Sequence, residues 1–217
     1  MGQVFESPQR HHSCSRIDTK ILTGVMRENT TPSLSVKQHM RALIAAFCVL
    51  CVAVCGTARA AGSRADLDLA SQYFEKPARV GVATYNYLFW ALYDAQLVAP
   101  GGVFRHDAPL MLTLTYRRDI KSSDIVDATA DELGRLGAPE KAIAAWRPLL
   151  SAIVPDVGAG DSIAGIRTAD GRTLFYVNGA LAGHIDDPIF GRFFFDIWVG
   201  PQSRDRQFTA RLTGAAD

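Results

Sequence analysis

Few side chains of this 217-residue chain stand at a spacing that chemistry uses. His106 and His184 each lack a second histidine or a cysteine within ligand spacing, so no metal centre is expected. Asp186-Asp187 is a pair of carboxylates of the kind used for proton transfer, but Pro188 follows it and the pair reads more simply as a helix cap. Asp156, Gly158, Gly160 and Asp161 lack the full ligand series of a calcium loop and read as a turn. Ser151, Ser162 and Ser203 stand in no nucleophile motif, which removes support for a hydrolase. Arg117-Arg118 is too small for a basic patch; a solvated strand end or ion pairs with helix residues account for it. No cofactor is expected.

The most concentrated feature is apolar. In FGRFFFDIWVGP, Phe190 to Pro201, the residues Phe190, Phe193, Phe194, Ile197 and Trp198 recur at the spacing that aligns them along one helical stripe. Aromatic side chains bury about 150 to 250 Å² each, so this helix is expected to anchor two layers or to wall an apolar cavity.

Residues 1–60 read as a leader. Ala42 to Val54 is an unbroken apolar run, preceded by Lys37 and Arg41 and followed by Ala58-Arg59-Ala60, a small-residue cleavage pattern near Ala60. The run is shorter than the roughly 20 residues that span a bilayer, so the mature chain is not expected to cross a membrane. Because a signal peptide usually has about 15 to 30 residues, a true start at Met26 or Met40 and a polar N-terminal extension are both open. All four cysteines, Cys14, Cys48, Cys51 and Cys55, precede Ala61. Export, periplasmic or secreted, then requires a core that holds without disulfides. Seven of the 23 basic residues and three of the 22 acidic ones also precede Ala61, which leaves the mature chain mildly acidic. That balance argues against nucleic acid.

Residues 61–217 show no repeat or long linker and read as one domain. Strands are expected at Val80–Tyr85, Tyr87–Val98 and Leu110–Tyr116, with Pro100-Gly101-Gly102 as a turn. Ser123 is expected to cap a helix with Ile125, Thr129, Leu133 and Leu136 inside, stopped by Gly137. Pro139 opens a second helix, with Ile143, Trp146, Leu150 and Ile153 buried, that ends at Pro155. Strands return at Ser162–Arg167 and Thr173–Val177 across Asp170-Gly171, and Asn178-Gly179 folds back Ala180–Ile185. Asp187-Pro188 opens the aromatic helix, and Gln207–Leu212 is an amphipathic end. The order defines an α+β domain, a largely antiparallel sheet covered on one face by helices.

These segments resemble the chalcone isomerase-like proteins, in particular their secreted bacterial branch. The resemblance rests on Tyr93-Asp94-Ala95, Leu114 to Ile120, Pro155-Asp156-Val157 with Gly160-Asp161, Phe175 to Gly179, and Ile197 to Pro201, and it runs from about Arg79 to Leu212. It implies an open-faced β-sandwich with a ligand cleft between a large sheet and a helical layer. In the family's enzymes an arginine before the long hairpin, a threonine within it, and a tyrosine and an asparagine seven apart serve an addition to an enone, where donors stabilise enolate charge. Here Arg79, or Lys76, stands nearest the arginine, Leu88 near the threonine, and Lys121 and Ala128 near the other two. Leucine and alanine donate no hydrogen bond, which counts against chalcone cyclisation, although Thr84, Tyr116 or Thr129 could take over a role.

Other branches of the family bind fatty acids without catalysis, an arginine pairing the carboxylate. By that resemblance the expected ligand is a small apolar molecule or carboxylate. The candidate contacts are Arg79 for the anion, Tyr87, Trp90, Tyr93 and Tyr116 as walls or donors, and Arg117. The bland alternative is ordinary sheet packing, with Tyr85, Tyr87, Phe89 and Tyr93 on one strand face and Leu88, Trp90 and Leu92 on the other. Three functions follow: an exported carrier or sensor, an isomerase or lyase acting on an enone, and a ligand-free envelope protein.

Overall fold

The computed structural model describes residues 64–87 and 89–215. The apolar run at 42–54, the cleavage pattern and the alternative starts lie outside the described residues.

Six strands form one antiparallel sheet in chain order: β1 Pro77–Tyr87, β2 Trp90–Pro100, β3 Leu110–Tyr116, β4 Ser162–Arg167, β5 Thr173–Val177 and β6 Ala180–Ile185. The sheet is open. Between β3 and β4 the chain leaves to build α2 Ser122–Arg135 and α3 Glu140–Ile153, and after β6 it adds α4 Pro188–Val199 and α5 Arg206–Thr213. A short helix, α1, occupies 64–70. Among the described residues no helix is long and apolar enough to cross a membrane.

Strand alternation sorts the core into two clusters. On the inner face Leu97, Leu110, Leu112, Leu114, Ile163 and Phe175 meet α2 to α5 through Leu133, Trp146, Leu150, Phe190, Phe195, Phe208 and Leu212. On the outer face Val98, Met111, Ile166, Leu174 and Tyr176 meet Ala70 and Phe74, with Leu67 and Tyr73 beside them. The helical layer therefore has a counterpart on the other side. Nothing in the expected element order anticipates it, because α1 has only seven residues, under two helical turns, too short a run for an amphipathic period to stand out.

The turn chemistry of the second half works as its residues require. Asn178 and Gly179 both take positive φ, 49° and 81°, and join β5 to β6. Asp187 caps α4 by accepting from the Ile189 amide at 2.9 Å, while its other oxygen accepts from the Trp146 indole at 2.9 Å. Asp205 caps α5 by accepting from the Phe208 amide at 2.9 Å.

Three expectations are corrected. The first hairpin reverses between Tyr87 and Trp90, so Tyr87 closes β1 instead of opening β2, and Tyr87 pairs with Trp90. No glycine or proline marks that turn. Ser123 is not the cap of α2: the flanking residue is Lys121, which makes no side-chain cap, and Asp156 beyond α3 accepts from the Ser122 amide at 2.8 Å. In α4 the buried rings are Phe190, Phe194, Phe195 and Trp198, whereas Phe193 is only half-buried. The buried face is wider than one stripe, because Phe195 lies against the bare backbone of Gly165 in β4, within 3.3 Å of where a Cβ would stand.

Candidate ligand-binding cleft

A cleft of about 710 Å³ opens between the β1–β3 end of the inner face and helices α2, α4 and α5. The sheet supplies its floor. Tyr85 and Tyr93, opposite one another in the β1–β2 register, stack with ring centres 5.2 Å apart, and Tyr116 meets Tyr93 edge-on at 6.0 Å from the neighbouring strand. Phe208 of α5 closes one wall, edge-on to Tyr85 at 5.8 Å. Trp198 of α4 closes another and donates its indole N–H to the Tyr93 hydroxyl at 2.9 Å. Ile125, Ala128 and Thr129 of α2 complete the apolar lining with Leu92, Leu114 and Ile197.

Polar atoms inside are phenolic. Burial pushes the Tyr93 and Tyr116 hydroxyls well above the usual tyrosine range, and Tyr85 is raised by burial and then by the charges of Glu132 and Asp205. All three stay protonated at neutral pH and can donate. Tyr93 already accepts from Trp198, which leaves its own proton to give. Tyr116 is 5% exposed, and its hydroxyl has no partner among the described residues. Thr129 has spent its hydroxyl on the Ile125 carbonyl at 2.7 Å.

The mouth is charged and mostly negative. Asp124, Asp131, Glu132 and Asp205 line it, with Arg204 as the single cation among the described lining residues. Arg204 is bonded to Glu132, whose other oxygen accepts from Arg135 at 2.7 Å.

Of the candidate contacts read from sequence, Tyr87, Tyr93 and Tyr116 line this cleft. Arg79, Trp90 and Arg117 do not. Arg79 lies in a polar groove on the outer face, alongside Val82, Thr84, Asp94 and Gln96. Strict alternation would place Arg79 with Gly81, Ala83 and Tyr85, but a bulge between Arg79 and Gly81 shifts the register and pairs Arg79 with the outer-face Val98. One extra residue reverses every side chain beyond it. Arg117 reaches the same outer side, where it grips Asp94 at 2.7 and 2.9 Å, and Thr84 donates to that carboxylate at 2.6 Å. Trp90 is half exposed and carries the Arg118 guanidinium 4.5 Å above its ring. Lys121 pairs with Asp156 at 2.8 Å, away from the cleft. Sequence reasoning missed Phe208, Arg204 and Glu132 as cleft residues. Only Phe208 left a signal, as the buried side of the amphipathic end segment.

An open-faced sandwich with its cleft between sheet and helical layer defines the class: the chain has the chalcone isomerase-like fold. Among solved structures it is similar to a fatty-acid binding protein of Arabidopsis thaliana, with a TM-score of 0.52 and 10% identity over 65% of this chain and 89% of that one. At that identity the likeness speaks for the fold alone. No family model and no curated protein matches the chain.

Proposed function

We propose that the protein is an exported, non-catalytic binder of a small, largely apolar molecule. The observation that carries this reading is the aromatic cleft itself, roomy, lined by buried and half-buried rings and furnished with the Tyr116 hydroxyl, which has no partner among the described residues. The similar plant structure is named as a fatty-acid binding protein, which supports the same class of ligand. Export rests on the apolar run at 42–54 and the Ala58-Arg59-Ala60 pattern.

For a fatty acid the anionic head is the demanding part. Neither Arg79 nor Arg117 reaches the cleft, so a carboxylate is held at the mouth on Arg204 with its tail directed inward. The neighbouring Asp131 and Asp205 oppose that placement. A head with a neutral oxygen, such as a ketone, an ester or an alcohol, instead goes inward and accepts from Tyr116.

The reading is tested by mass spectrometry of small molecules that accompany the protein from its native compartment, followed by titration with palmitate and with its methyl ester. Tyr116→Phe is expected to weaken the ester and spare palmitate, and Arg204→Gln to do the reverse. A protein that carries no small molecule and answers to neither ligand would sink the reading. The enone isomerase is a second reading that the same phenols favour, since two buried donors suit an enolate oxygen. A screen of enones for cyclisation tests it. The open cleft counts against a ligand-free structural protein, whose own side chains would be expected to fill it.

A further inference from the structure

The tip of the β1–β2 hairpin is an aromatic patch that the cleft does not explain. Tyr87 is 60% exposed, Trp90 59% and Phe89 95%. Burying such rings stabilises a fold, while exposing three together leaves a cost that solvent does not repay. Behind them stands a cation: the Arg118 guanidinium lies 4.5 Å over the Trp90 ring and forms no ion pair among the described residues, whereas its neighbour Arg117 is held by Asp94. Tyr87 borders the cleft mouth as well, so tip and mouth face the same surroundings.

We propose that this tip docks the protein on a phospholipid bilayer, with Phe89 and Trp90 in the interface and Arg118 against a lipid phosphate. Three physical arguments select a lipid surface over a second protein chain. Tyrosine and tryptophan prefer the boundary between headgroup and acyl region, where ring and polar edge are both satisfied. A guanidinium stacked on an indole presents its N–H edge to phosphate, the anion present in every phospholipid headgroup. Three side chains also fall far short of a stable protein interface, which takes about 20 to 30 residues a side. A bilayer sets no such minimum, since each inserted ring contributes separately. The proposal is independent of what the cleft binds, because it rests on surface groups.

The chain carries its own reporter. Of its three tryptophans, Trp146 and Trp198 are buried, at 3% and 9% exposure, and Trp90 is the largely exposed one. The experiment adds vesicles of phosphatidylcholine and phosphatidylglycerol in equal parts to the purified protein and follows tryptophan emission, then repeats the titration with brominated phosphatidylcholine as quencher. A blue shift with quenching confined to Trp90, abolished in Trp90→Phe, is expected. Phe89→Ser is expected to weaken the lipid response about tenfold, and Arg118→Gln several-fold. Phe89 is almost wholly exposed, so its replacement leaves the fold intact. The share of the quenching that Trp90→Phe removes reads the depth of Trp90, whereas quenching that survives the substitution comes from Trp198 in the cleft wall and counts against docking by the tip. Emission that stays unmoved at saturating lipid overturns the proposal. So does the same shift on raising protein concentration without lipid, which would make the occupant a second copy. Ligand titration without vesicles tests the cleft separately.

Discussion

Tyr116 shows how one buried hydroxyl can decide what the cleft accepts. Its ring is fixed by the edge-on contact with Tyr93, and its oxygen has no hydrogen-bond partner among the described residues. Tyr116→Phe removes one donor and almost no packing, so affinity for an oxygen-headed ligand is expected to fall about fivefold to tenfold with thermal stability unchanged, as isothermal titration and a melting curve would show. The same burial makes stability depend on alkali. Tyr85, Tyr93 and Tyr116 have folded-state pKa values above their ordinary 10.0, so the unfolded chain releases these protons first. Their contribution is intact below about pH 10 and is lost as pH rises beyond it. Phenolate absorbance should therefore appear together with unfolding, not ahead of it, for this group of tyrosines. Tyr93 and Tyr116 were legible through the family resemblance, as cleft walls or donors, and their pairing across β2 and β3 brings both to the cleft. Arg79 was not legible, because a bulge has no sequence mark and reverses the parity on which such a reading depends.

At the level of elements, the tightest of the described glycine positions lies under α5. A Cβ on Gly81 would stand 2.2 Å from the Arg211 carbonyl oxygen and 2.5 Å from that of Leu212, so backbone would have to move. Gly81→Ala is expected to cost about 3 kcal/mol and to loosen α5, seen as a lower melting temperature and faster amide exchange over Arg206–Thr213. Phe195→Ala removes a wholly buried ring that fills the space above Gly165 and is expected to cost about 4 kcal/mol by denaturant titration. Elements with strong turn residues were readable to the residue. Strands β4, β5 and β6 begin and end where Asp170-Gly171 and Asn178-Gly179 place them. The β1–β2 turn was misplaced because Tyr85 to Trp90 is aromatic and aliphatic almost throughout, which gives strand propensity without punctuation. The cap of α2 was misread for another reason: Asp156 comes from 34 residues away, and local spacing carries no trace of it.

For the molecule as a whole, the outer face depends on the segment before β1. Phe74, Leu67 and Ala70 cover Val98, Met111, Ile166 and Leu174, so a chain beginning at Lys76 would expose a contiguous apolar surface on the sheet. Such a truncation is expected to bind a hydrophobic dye strongly and to aggregate on concentration, while the inner cluster and far-ultraviolet dichroism persist. The general architecture was legible because strand and helix periods follow each other in a clear order; the second cover was not, since it is a single short helix. The sheet has a further consequence. Its strands lie side by side in the order they occur in the chain, and β3 to β4 is the only neighbour pair separated by a long excursion, over residues 117–161. Loop closure is therefore cheap at every step but one, and each strand emerging from a ribosome or a translocation channel finds its partner already present. Assembly can follow the direction of travel, with its slow step expected at the joining of β3 and β4.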